Sequence, residues 1–65
     1  MITLNKSTRI DKHNVYGECT AETVADLDNF PDFARANELQ HGSAVLCQEN
    51  GEVYTMRPDY TLKQL

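Results

Sequence analysis

Four residues in this sequence are of types that ligate zinc: His13, Cys19, His41 and Cys47. A tetrahedral zinc site usually takes half of its ligands from a close pair, such as Cys-x-x-Cys or His-x₃-His. No two of these four stand that close, so the spacing predicts two surface histidines and two small apolar thiols. The same types could form a Cys–His nucleophile, which needs a thiol of depressed pKa and donors for an oxyanion. Cys47 falls in the middle of an expected strand, on its buried face, which predicts an inert thiol. Asp26, Asp28 and Asp32 cluster in sequence but lack the loop pattern and glycine of a calcium-binding hand, so they read as a solvated acidic loop. Gly17, Gly42 and Gly51 are isolated, which leaves no phosphate-cradling loop. A 65-residue chain also has little material for a walled ligand pocket. The sequence predicts no enzyme, no metal and no cofactor.

The elements that would carry any function centre on residues 43–57, SAVLCQENGEVYTMR, which read as a β-hairpin. Asn50-Gly51 suits a two-residue type I′ turn, whose central residues both need positive φ. That turn would place Glu49 opposite Glu52, Gln48 opposite Val53, Cys47 opposite Tyr54 and Val45 opposite Met56. Alternation then gathers Val45, Cys47, Tyr54 and Met56 on one face. The other face, with Ala44, Leu46, Gln48, Val53, Thr55 and Arg57, is mixed. A three-residue loop 49–51 with a bulge at Gly51 is the alternative, and it shifts every pair by one. Arg57-Pro58-Asp59-Tyr60 reads as a type I turn with proline at its second position, and Tyr60 and Leu62 then begin a third strand. Residues 43–65 thus form a three-stranded antiparallel meander, near the minimum for independent stability.

Upstream, residues 1–12 alternate weakly through Ile2 and Leu4, with Lys6, Arg9 and Lys12 basic; they read as a short strand or an extended arm. Residues 11–19 read as a loop, with turn-formers Asp11, Asn14 and Gly17 around Val15 and Tyr16. Residues 20–42 are helical or loop. Thr20 is the expected N-cap of a first helix of two turns at most, with Val24 and Leu27 on one face. Pro31 opens a second helix that carries Phe33, Ala36 and Leu39 or Gln40 and stops at His41-Gly42. The fold class expected is mostly β, or a small α+β arrangement, in a single domain of residues 1–65.

Composition limits the function classes. Six basic against ten acidic residues give a net charge of −4, which argues against binding nucleic acid by phosphate neutralisation. No apolar run approaches membrane-spanning length, and the first ten residues lack the apolar core of a secretory signal, so neither a membrane partner nor export is expected. Both cysteines are expected to be reduced and partly buried. Hydrophobic residues make up 40% of the chain, with no tryptophan and five aromatics, so the core supply is thin. Support from a neighbouring chain would supply what a small core lacks.

Four segments carry a resemblance: Thr23-Val24-Ala25-Asp26-Leu27, Leu39-Gln40-His41-Gly42-Ser43, Gly51-Glu52-Val53-Tyr54 and Leu62-Lys63-Gln64-Leu65. Over about 40 residues the chain resembles small phage and prophage virion proteins related to head-fibre proteins, whose compact β module docks on the capsid. In that family a Gly-Ser pair opens the first strand and a Gly-x-Val-Tyr segment opens the second. The final strand often carries a tryptophan, near where Leu62 stands here. The resemblance implies a non-enzymatic auxiliary capsid protein, of head-decoration or head-fibre type, made in the host cytoplasm and displayed on the virion. It implies the major capsid protein or another virion protein as partner, a homo-oligomeric or lattice-bound state, and extended loop in place of helix over residues 23–39. The partner-binding residues expected are Ile2, Leu4, Arg9, Tyr16, Tyr54, Met56, Tyr60 and Leu62. The competing expectation is a small acidic adaptor or inhibitor of a host protein, using Asp26, Asp28, Asp32 and Glu38.

Overall fold

A computed structural model describes residues 1–11 and 15–65. The expected arm cation Lys12, the zinc-type residue His13 and the turn-former Asn14 lie outside the described residues. The described chain is mostly β, with five strands and two short helical segments. The strands are β1 (Ile2–Arg9), β2 (Val15–Ala21), β3 (Ala44–Cys47), β4 (Val53–Met56) and β5 (Leu62–Gln64). A 3-10 helix (Val24–Asn29) and helix α1 (Phe30–Ala36) connect β2 to β3. The sheet order is β1-β2-β3-β4-β5. Neighbours are antiparallel except β2 and β3, which run parallel across the helical crossover.

The C-terminal meander is present as expected, but its first turn differs from both anticipated forms. Ala44 pairs with Thr55, Val45 with Tyr54 and Leu46 with Val53. The Cys47 N–H donates to the Glu52 carbonyl at 2.9 Å, and the Gly51 N–H to the Cys47 carbonyl at 2.9 Å. Four residues, 48–51, therefore make the loop. Only Gly51 takes positive φ (71°); Asn50 does not, which excludes the type I′ turn. Asn50 instead accepts from the Glu52 N–H (2.9 Å) and donates to the Tyr54 hydroxyl (3.0 Å). Every pair is displaced by two residues from the two-residue register. An even displacement preserves the faces, so Val45, Cys47 and Met56 are buried together, with Tyr54 half-buried beside them.

Residues 15–21, expected to be a loop and then a helix cap, are the second strand. Val15, Gly17, Cys19 and Ala21 face the core, while Tyr16, Glu18 and Thr20 face away. β1 completes an N-terminal hairpin with it, from Ile2 opposite Ala21 to Arg9 opposite Val15. The register shifts between Leu4 and Lys6, where the Asn5 side chain donates to the Thr20 hydroxyl. A bulge and a lysine on an edge strand discourage pairing with foreign strands.

The true helix cap is Thr23, three residues after the expected one. Its hydroxyl accepts from the Asp26 N–H (3.3 Å), and the Asp26 carboxylate accepts from the Thr23 N–H (3.1 Å). The hydrogen bond from the N-terminal ammonium, with those of Thr23, holds the Asp26 carboxyl below the usual carboxylate range. Residues 23–36 are therefore capped and helical, which corrects the extended loop implied by the resemblance. Val24 is exposed, while Leu27 packs against the core. Pro31 sits in the first turn of α1 as expected. The buried side chains of α1 are Phe30 and Ala34; Phe33 is half-buried and Ala36 exposed.

Helix α1 stops five residues before His41. The Glu38 N–H donates to the Arg35 carbonyl (3.2 Å) and the Leu39 N–H to the Ala34 carbonyl (2.9 Å), a Schellman closure. The closing residue, Glu38, has φ of 57°, a conformation that glycine occupies at least cost. Glu38→Gly is expected to stabilise the protein by about 1 kcal/mol. Urea denaturation checks this: an unchanged or lower midpoint would mean that the Glu38 side chain offsets the strain.

Beyond that stop, Leu39 is buried and bridges to Val15, and Gln40 N–H donates to the Val15 carbonyl (2.8 Å). The parallel pairing then breaks, passing over two residues of β2 and four of the facing segment, before Glu18 meets Ala44. Ser43 fills the gap. Its fully buried hydroxyl accepts from the Gly17 N–H (3.0 Å) and donates to the Gln40 carbonyl (2.8 Å). The core is one layer between the helical crossover and one face of the sheet. It joins Val15, Cys19, Ala21, Phe30, Ala34, Leu39, Val45 and Met56.

Candidate partner-binding surfaces

The most distinctive local geometry lies at the turn between β4 and β5. The Tyr60 N–H donates to the Arg57 carbonyl (2.9 Å), closing the expected turn with Pro58 at its second position. The Arg57 N–H then donates to the Thr61 carbonyl (2.8 Å), and the ladder resumes. Tyr60 is left as the extra residue, with φ of 69°. A ring-bearing side chain in that region is a backbone outlier, and such outliers concentrate where function constrains the chain. Two contacts hold the turn. The Asp59 carboxylate accepts from the Thr61 hydroxyl (2.6 Å) and N–H (3.1 Å), which lowers its pKa below the ordinary value. The Arg35 guanidinium lies 4.5 Å from the centre of the Tyr60 ring, a cation–π contact, and its Nη1 reaches Asp32 at 3.3 Å.

Tyr60 stands between two clefts. One, of about 330 Å³, is polar and is walled by Arg35, Glu38, His41 and Arg57 with Met56 at its base. The other, of about 360 Å³, is mostly apolar and is lined by Leu27, Pro31, Tyr54, Tyr60 and Leu62 together with Asp28 and Thr61. The apolar cleft opens beside β5, the short edge strand. The N–H groups of Arg57 and Leu65 bond across the β4–β5 ladder to Thr61 and Val53. By alternation, the backbone groups of Leu62 and Gln64 point to the open edge.

Of the expected partner-binding residues, Tyr54, Tyr60 and Leu62 come together in this apolar cleft. The others do not join them. Met56 is 3% exposed and belongs to the core, because the meander face that carries it is the one the helices cover. Ile2 and Leu4 are half-buried on β1 and pack against the core. Arg9 is exposed at the far end of β1, where its guanidinium donates to the Asp11 carbonyl. Tyr16 is half-buried on the opposite face of the sheet, paired with Thr8. Leu27 and Pro31 complete the cleft and were not anticipated there. Their signal was the position of both on the crossover that must cover the meander.

The chemistry-bearing residues are dispersed. Burial without a charged partner pushes the Cys19 thiol up to about 11, which leaves it protonated and unreactive at neutral pH. Cys47 is free and fully buried. Among the described residues, no three His, Cys, Asp or Glu side chains gather to hold a metal ion. No helix among them is long and apolar enough to cross a membrane. Of the four acids of the adaptor reading, Asp26 is bound to the N-terminal ammonium and Thr23, and the exposed Asp32 to Arg35. No family model, curated protein or solved structure matches this chain.

Proposed function

We propose that this chain is a non-enzymatic structural subunit of a phage virion, an auxiliary capsid protein of head-decoration or head-fibre type. The virion assignment rests on the four resembling segments. The docking role is supported by one observation: Tyr54, Tyr60 and Leu62 line a single apolar cleft beside an open strand edge. Tyrosine suits such a surface, since it offers a large apolar ring with a polar tip. The partner in this reading is the major capsid protein or another virion protein, not nucleic acid or a membrane. An extended segment of it would pair with the outward backbone groups of Leu62 and Gln64. An apolar side chain of that segment would enter the cleft, the usual division between backbone affinity and pocket specificity.

The test is mass spectrometry of purified particles, counting this chain against the major capsid protein, with wild type and Leu62→Glu compared. A fixed, lattice-like ratio is expected for the wild type. For Leu62→Glu, particle association is expected to be lost while the free protein keeps the wild-type circular dichroism. Absence of the wild-type chain from particles would overturn the virion reading. Retention of Leu62→Glu at the wild-type ratio would overturn the cleft as the docking site.

A further inference from the structure

The helical crossover covers only one face of the sheet, and the other face has a self-complementary pattern. Thr3 pairs with Thr20, Thr20 with Leu46, and Leu46 with Val53. The Leu65 N–H bonds to the Val53 carbonyl, which extends the row to the fifth strand. Leu46, Val53 and Leu65 in this row are 41%, 38% and 72% exposed. The next row along the strands reads Lys6, Glu18, Ala44, Thr55 and Lys63, again one residue per strand. Neither Glu18 nor Lys63 has an ion-pair partner among the described residues.

Consider a two-fold axis parallel to the strands, passing over the boundary between β3 and β4. It exchanges β3 with β4 and β2 with β5, and it leaves each row at its own level. Leu46 of one copy then meets Val53 of the other, and Thr20 meets Leu65. In the second row Ala44 meets Thr55 and Glu18 meets Lys63. Each contact occurs twice, as an isologous interface requires. The apolar row forms the dry centre, and two opposite-charge pairs stand beside it. Two sheets in this arrangement pack about 10 Å apart with strands nearly aligned, as in a β-sandwich.

We infer that the bare sheet face binds a second copy of this chain through a two-fold, face-to-face contact between Leu46 and Val53, flanked by reciprocal Glu18–Lys63 pairs. The overlapping strands β2–β5 span about 19 Å across and about 14 Å along the strands, from ordinary strand spacings. They therefore cover on the order of 300 Å² per copy, below the range of stable specific interfaces and in that of transient ones. The dimer is accordingly weak and concentration-dependent. This contact is on the sheet face opposite the apolar cleft and does not depend on the virion reading.

Sedimentation equilibrium of the purified chain, from micromolar to millimolar concentration, tests this directly. The wild type is expected to follow a monomer–dimer equilibrium. Leu46→Lys is expected to remain monomeric throughout. Glu18→Lys and Lys63→Glu are each expected to weaken the dimer by about tenfold, because each places like charges together twice. The double variant carrying both substitutions is expected to recover near wild-type affinity, with thermal melts confirming that every variant is folded. A wild type that stays monomeric at millimolar concentration overturns the inference. So do open-ended association, wild-type dimerisation by Leu46→Lys, or failure of the double variant to recover. The measurement contains no capsid protein, so its outcome is separate from that of the particle experiment.

Discussion

Phe30→Ala is expected to destabilise the protein by about 3–5 kcal/mol, half or more of its total stability. Phe30 is fully buried at the junction of the 3-10 helix and α1, and its ring centre lies 6.1 Å from that of Phe33. Truncating a buried phenylalanine costs about 3–5 kcal/mol, through lost transfer energy and the cavity left behind. A 65-residue domain has about 3–10 kcal/mol of total stability, so this one change removes half or more of it. The neighbourhood cannot easily collapse to fill the space, because Pro31 fixes the backbone immediately after Phe30. The check is urea denaturation followed by circular dichroism, with Phe30→Leu as control. The leucine variant keeps most of the volume and is expected to lose about 1 kcal/mol. A cooperative Phe30→Ala transition near the wild-type midpoint would show that the crossover is not what holds the core together.

Gly17→Val is expected to cost about 3 kcal/mol, at the upper end for overpacking a core. A Cβ on Gly17 would lie 2.7 Å from Leu39 Cδ2 and 3.1 Å from both Leu39 Cδ1 and Leu4 Cδ1. Leu39 has little freedom to withdraw, since its backbone closes helix α1 and its side chain is 3% exposed. The glycine is thus required by space at the point where the segment after α1 crosses β2. Valine would be favoured on an open strand, so the predicted sign is opposite to that of β-propensity. A double-mutant cycle with Leu39→Ala isolates the clash: the combined loss should be well below the sum of the two single losses. Full additivity would mean that Leu39 is not what excludes a side chain at position 17.

These two positions mark the limit between what was legible and what was not. The face shared by Val45, Cys47, Tyr54 and Met56 was readable because strand alternation survives any even change of register. The Pro58 turn and the Pro31 helix start were readable because proline sets its own φ near the value that the second position of the turn and the first turn of a helix require. The residue before Pro31, Phe30, is helical against the usual pre-proline bias. A further signal was present but overlooked. Thr23-Val24-Ala25-Asp26 has the spacing of a capping box, whereas Thr20 has no acidic or amide residue three positions later. Part of the candidate cleft was also visible, since Tyr54, Tyr60 and Leu62 all fall on the meander. Their convergence with Leu27 and Pro31 was not, because it depends on where the crossover lands.

The sequence by itself determined the alternating faces of the meander, the Pro58 turn and the Pro31 helix start. Each of these follows from local stereochemistry or from residue spacing. The tertiary structure alone decided that residues 15–21 are an interior strand, between β1 and β3. Three of their inward residues, Gly17, Cys19 and Ala21, are small where the helical layer lies against them, and glycine and alanine are depleted in strands. It also decided the parallel pairing of β2 with β3, which joins residues 26 positions apart. Such a contact is specified by burying the inner face of the crossover against the sheet, and no window of local sequence contains that information.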